Sequence, residues 1–387
     1  MSNRRPVSPD RSRRPPTLVI SPPAAGNIGD QALVESVLHN IPGDVHLVVR
    51  RSGDVLLDHV PGADRVITEF VLPDLLYGRG PAHRRDVRQL KTLIPDSSSV
   101  LVVGADIMDG RYCLRASIAR SRTATLAADL GVPAAVLGFS WSTQPKRRAM
   151  RAIAKASRSG VVLYGRDPAT LRRLHDIGLK PHAAADVVFT VGSSDMPTAR
   201  RLLAELGVSD RDDYVLINAS GLVGSTSAQT DAYVEVVRGL AARGIIPVLL
   251  PHVSRGGADD QHALDLLAGA IGTPVPRVRS IQLPDVIRGL CSRATAVVTG
   301  RMHLGVMALR MGTPAVIVST QGKVEGLVEM FDMPECCVEP TGELSALVGA
   351  TAAVVDNRDS YAARIRERLP MVIDLATRNF QTAVNAS

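Results

Sequence analysis

The chain has 387 residues, 45% of them hydrophobic and 21% charged, and this length exceeds the roughly 250–300 residues at which one hydrophobic core stops growing, so two domains are expected. No apolar run reaches the ~18 residues of a membrane-spanning helix, and the first 16 residues are rich in Arg, Pro and Ser rather than apolar, which argues against a secretory signal. Arg4, Arg5, Arg11, Arg13 and Arg14 against Asp10 supply +4 of the net +7 charge, leaving +3 for the rest, and aromatics are only 3%; nucleic-acid binding, which uses basic grooves and aromatic platforms, is disfavoured.

Residues 1–16 read as a solvated, disordered basic arm. Residues 17–20 then form a first strand, followed by a glycine-bearing loop and a helix over 31–39. A second strand covers 45–49, and a buried one covers 99–103 and ends at Gly104. Helix spacing over 115–130 leads through Gly131-Val132-Pro133 into a strand over 134–138. A short strand over 161–164 and a helix over 168–177, stopped by Gly178, complete this half. Apolar strands alternating with helices predict a parallel sheet covered on both faces.

The pattern restarts after residue 191, with a helix over 198–206, a strand over 214–219, a helix over 231–243, and buried strands over 245–250, 296–299 and 315–319. The expected architecture is α/β: two facing Rossmann-like, doubly wound domains, 17–191 and 192–357. The final segment 358–387 carries a helical stretch, 360–380, expected to pack back on the first domain. Cys113, Cys291, Cys336 and Cys337 form no C-x-x-C pair, so a reduced, cytoplasmic chain without a metal site is expected.

Ligands of such sheets bind beyond the carboxyl ends of the strands, and four segments fall there. Gly26-Asn27-Ile28-Gly29-Asp30 follows the first strand and precedes a helix; its glycines permit close backbone approach, and the helix start suits an anion. Asp30 either caps this helix or acts on a substrate hydroxyl. The spacing departs from G-x-G-x-x-G, which disfavours a dinucleotide. Gly104-Ala105-Asp106 releases carboxylates from a buried strand, with Asp106 the better candidate for a base and Asp109 following it; a turn with solvated acids fits equally. In Arg166-Asp167-Pro168, Pro168 suits a first helical turn, Asp167 its cap, and Arg166 either an anion fork or a surface ion pair. Gly300-Arg301-Met302-His303 runs from a strand into a helix start, which favours anions. Lys323 and His252 end further strands of the second half.

In this order the segments resemble the polysaccharide pyruvyl transferase family over roughly residues 16–334. The carriers are Gly26-Asn27-Ile28-Gly29-Asp30, Arg166-Asp167 with Gly178 and Asp186 behind it, Gly300-Arg301-Met302-His303 with Gly312-Thr313-Pro314, and Lys323-Val324-Glu325-Gly326. The resemblance implies a fold like that of B-type glycosyltransferases, no bound cofactor, and phosphoenolpyruvate as co-substrate. It implies transfer of a pyruvyl ketal to sugar hydroxyls of cell-surface polysaccharide, the acceptor being a sugar, glycan or lipid-linked glycan. An inner-membrane location assisted by the basic arm would suit a lipid-linked acceptor. On this reading Arg166, Arg301, Lys323 and His252 bind the donor, and Asn27, Gly29 and Gly104 form the substrate loops. His303 is the acid or a phosphate hydrogen-bond donor, and Asp106 or Asp30 is the base. The sequence departs from the family at Gly104-Ala105-Asp106, where consecutive glycines are common, and at Asn218-Ala219-Ser220, where an Arg is frequent. A nucleotide-sugar glycosyltransferase and a non-catalytic ligand-binding derivative of the fold are the competing readings.

Overall fold

The computed structural model describes residues 14–60, 65–221, 227–256, 259–319, 322–339 and 344–385. Most of the basic arm, 1–13, and positions 320 and 321 beside Lys323 lie outside the described residues.

The first lobe is a seven-stranded parallel sheet of β1 (Thr17–Ile20), β2 (Val45–Val49), β3 (Ile67–Val71), β4 (Ser99–Ala105), β5 (Ala134–Phe139), β6 (Val162–Gly165) and β7 (His182–Ala183), in the order β3-β2-β1-β4-β5-β6-β7. Its central strands are apolar throughout because both faces are covered. Side chains alternate between the faces: Val19, Leu101, Val103 and Leu137 enter one core, while Leu18, Ile20, Val100, Val102 and Val136 enter another.

The second lobe is a five-stranded parallel sheet of β8 (Tyr214–Asn218), β9 (Ile246–Leu249), β10 (Ala296–Thr299), β11 (Ala315–Val318) and β12 (Cys337–Val338), ordered β12-β11-β10-β8-β9. The core holding Val19 continues without interruption into this lobe through Ile217, Val298, Leu304 and Phe331. The two doubly wound sheets thus form one packed body.

Each sheet has a switch point where the chain reverses its direction of winding, between β1 and β4 in the first lobe and between β8 and β10 in the second. A crevice opens there beyond the strand ends. The loop after β1 and the loop after β9 close the two crevices on each other by backbone pairing. Ser254 N donates to Gly26 O at 2.8 Å, and Ile28 N donates to His252 O at 3.2 Å.

The long C-terminal helix Arg358–Thr377 ends beside the first sheet. There the buried Asn379 accepts from Gly138 N (2.7 Å) and donates to Ala185 O (2.9 Å), and Tyr164 Oη lies 3.2 Å from Thr382 Oγ1. Among the described residues no helix is long and apolar enough to cross a membrane.

Candidate active site

The helix after β1 spans Ile28–Asn40, so it begins three residues before the expected start. Asn27, not Asp30, is its cap: Asn27 Oδ1 accepts from Gly29 N (3.0 Å) and Asp30 N (3.4 Å). Asn27 Nδ2 also donates to Asp30 Oδ2 (2.8 Å), which leaves the Asp30 carboxylate in the first turn, at the wall of the cleft. The glycines of this segment accommodate the second lobe. A Cβ on Gly29 would stand 2.6 Å from His303 Nδ1 and 2.8 Å from His303 Cβ, and one on Gly26 would overlap Ser254 O. Gly104 is also filled by protein. A Cβ there would meet Leu137 O at 2.5 Å and Phe139 Cβ at 2.7 Å, so the glycine permits close packing of β4 on β5 rather than substrate approach.

Between the lobes lies a cleft of about 210 Å³. Pro22, Asn27, Asp30, Asp106 and Arg120 line its first-lobe side, and His252, Arg255, Arg301 and His303 its second-lobe side. His303 stands in the first turn of the helix Met302–Arg310. Its Nε2 is 3.4 Å from Asp186 Oδ2, an ion pair that joins the two lobes. Burial alone would lower the His303 pKa, but Asp186 outweighs it and the net shift is upward, towards imidazolium.

Arg166 does not line the cleft. Its side chain is fully buried, with Nη1 on Asp186 (2.7 Å), Nη2 on Asp106 and Nε on Ser140 Oγ (2.8 Å). The guanidinium is therefore committed to two carboxylates and orients them. Burial works to raise both acids, yet Arg166 prevails: the Asp106 pKa is lowered, and that of Asp186 falls to about 2. Asp30 behaves oppositely. Its burial raises the pKa above the usual carboxylate value despite Arg255 and His303.

Lys323 likewise lies behind the wall, with Nζ 3.1 Å from Asp109 Oδ2 and 2.5 Å from Asp106 O. Asp109 is itself buried and accepts from Ser142 N and Arg111 N. Arg301 does reach the cleft, but Nε and Nη2 lie 3.0 and 2.5 Å from Asp260 Oδ1. Asp260 also accepts from His252 N, Val253 N and Asn218 Nδ2. Asn218, at the position of the family departure, thus anchors the carboxylate behind Arg301. All three expected donor cations are bound to carboxylates, a pairing that separate sequence segments do not display.

Two charged residues of the cleft escaped the sequence reading. Arg255 contacts Asp30 (3.4 Å) and Pro23 O (3.1 Å) across the lobes. Arg120 lies on the helix Leu114–Asp129 among Ala116, Ala119, Ala124 and Ala127, and an arginine on that small apolar face was its available signal. His252 is buried and lines the cleft; burial, then Arg301 and His303, hold its pKa well below the ordinary histidine value. Among the described residues no group of three or more His, Cys, Asp or Glu is placed to hold a metal ion.

Solved structures share the fold at low identity. UDP-GlcNAc 2-epimerase from Neisseria meningitidis, bound to UDP-GlcNAc, superposes with a TM-score of 0.63 at 13% identity, covering 96% of this chain and 99% of that one. The S. aureus MnaA–UDP structure gives 0.64 at 12%, covering 97% and 98%. A ugt transferase from Siraitia grosvenorii in complex with UDP gives 0.54 at 12%, covering 96% and 99%. These likenesses establish the two-lobed B-type glycosyltransferase architecture. None of the curated proteins matches the chain significantly in sequence. The family model for polysaccharide pyruvyl transferase matches residues 27–322, from the Asn27 cap to the loop before Lys323, and the chain belongs to that family.

Proposed function

We propose that the chain transfers the pyruvyl unit of phosphoenolpyruvate to two hydroxyls of a sugar, glycan or lipid-linked glycan acceptor, forming a ketal and releasing phosphate. The observation that carries this reading is the His303 imidazole, held towards its charged form by Asp186 at the wall of the interlobe cleft. Of the two hydroxyl protons, one balances the new C–H bond at the methylene carbon and the other leaves with phosphate. Protonated His303 donates to the phosphate oxygen as its bond to carbon breaks. A general base works best with a pKa near the working pH. Asp30, raised by burial, meets this better than Asp106, which Arg166 holds as a carboxylate. Arg166 and Lys323 serve by fixing Asp186, Asp106 and Asp109, while Arg301 presents its guanidinium at the cleft from its Asp260 anchor. A lipid-linked acceptor would bring the chain to the inner membrane face.

The test is calorimetric titration of the full chain with phosphoenolpyruvate, UDP-sugars and GDP-sugars, repeated with Arg301→Ala. Saturable phosphoenolpyruvate binding that the substitution abolishes supports pyruvyl transfer. Binding of a nucleotide sugar with no response to phosphoenolpyruvate overturns the donor and favours the chemistry of the UDP-bound neighbours.

A further inference from the structure

Arg120 feels the charge of Asp30 but makes no hydrogen bond or ion pair with it, unlike the other arginines and the lysine described around the cleft. Its side chain enters from the helix Leu114–Asp129, the residue is 1% exposed, and Nε and Nη1 are buried without a hydrogen-bond partner among the described residues. Arg166, Arg301 and Lys323 are each bound to a carboxylate, and Arg255 rests on Asp30 and Pro23. On the facing lobe His252, also 1% exposed, lines the same cleft, and neither of its ring nitrogens has a hydrogen-bond partner among the described residues. Buried N–H donors are ordinarily satisfied, and a guanidinium left without an acceptor in a cavity wall calls for one from a ligand.

We propose that Arg120 and His252 form an oxyanion subsite in the interlobe cleft, taking a carboxylate or phosphate group of a substrate between the two lobes. The guanidinium supplies charge and a planar array of donors suited to such a group. The imidazole, neutral in this environment, adds one N–H donor without a second positive charge. Only the source of the anion rests on the pyruvyl-transfer reading: it comes either from phosphoenolpyruvate or from an anionic acceptor.

The test uses the full chain, Arg120→Gln and Arg120→Lys, each checked for folding by circular dichroism and thermal unfolding. Calorimetric titration is made with inorganic phosphate and with phosphoenolpyruvate, and with phosphate again at saturating phosphoenolpyruvate. The subsite predicts phosphate binding weakened at least tenfold in folded Arg120→Gln and partly restored in Arg120→Lys. A parallel loss for phosphoenolpyruvate assigns the anion to the donor. Unchanged phosphoenolpyruvate affinity, with Arg120-dependent phosphate binding that persists beside it, assigns the anion to the acceptor. Arg120-dependent phosphate binding in a chain that never binds phosphoenolpyruvate keeps the subsite and overturns the pyruvyl-transfer reading. Equal phosphate affinity in the wild type and folded Arg120→Gln overturns the subsite.

Discussion

Replacing Asp186 by Asn removes a buried carboxylate that touches Arg166 at 2.7 Å and His303 at 3.4 Å. Its pKa of about 2, against 3.8 for a free carboxyl, corresponds to roughly 2–3 kcal/mol favouring the ionised form. Removing one partner of a buried ion pair costs more, about 3–5 kcal/mol, because the remaining charge loses its partner while staying out of water. The pH dependence has two limbs. The contribution of Asp186 is fully present above pH 3.8 and is lost as pH falls through about 2. The raised pKa of His303 contributes stability below 6.5 that is lost as pH rises through its folded value. Urea unfolding followed by circular dichroism between pH 2 and 9 reads both limbs, and NMR titration of the imidazole reads His303 directly. Asp186→Asn is expected to be about 3–5 kcal/mol less stable near pH 6, to lose most of the decline above pH 6.5, and to shift the His303 pKa downward. Stability curves that run parallel for the two proteins, with an unmoved imidazole titration, would refute the dyad.

Three further outcomes are expected. Gly29→Ala places a methyl 2.6–2.9 Å from three atoms of His303; the overpacking cost of about 1–3 kcal/mol is partly offset by better helix propensity, roughly 1 kcal/mol. Thermal unfolding should therefore change little while turnover drops at least tenfold, and full turnover would separate this glycine from the chemistry. Turnover against pH should be bell-shaped, with an acid limb above the ordinary carboxyl pKa from Asp30 and an alkaline limb above 6.5 from His303; Asp30→Asn that kept its acid limb would remove Asp30 as the base. Asn379→Ala strips buried partners from Gly138 N and Ala185 O, and should lower unfolding free energy in urea by about 2–5 kcal/mol; a loss under 1 kcal/mol would show the C-terminal segment docked mainly by apolar contacts.

The parallel strands were legible because burial on both faces writes them as continuous apolar runs, as in residues 99–103 and 134–138. What escaped lacks that signal. β3, reading ITEFV, is half-polar at the sheet edge, and β7 and β12 are two residues each. The helices Gly80–Leu93 and Arg147–Arg158 carry runs of exposed arginine that mask their narrow apolar faces. The motif residues fell beyond the carboxyl ends of strands because strand-to-helix turns mark those ends in sequence. Their pairing was not legible, since Asp260 and Asp109 meet Arg301 and Lys323 only after the chain folds. Of the two roles that the sequence offers Asp30, cap or group acting on a substrate hydroxyl, the cap falls to Asn27, a residue type that caps equally well.

Arg166 holds Asp186 and Asp106 within the first lobe and Arg301 holds Asp260 within the second, but three further pairs cross between the lobes. Asp186, Asp109 and Asp30 belong to the first, whereas His303, Lys323 and Arg255, their cationic partners, belong to the second. The acid and its counter-charge therefore exist as a unit only while the halves touch. Parting them would hydrate His303, free Lys323 from Asp109 and return each group towards its solution behaviour. Interlobe contact thus works as a conjunction: the His303–Asp186 and Lys323–Asp109 pairs are assembled only while both halves are in place.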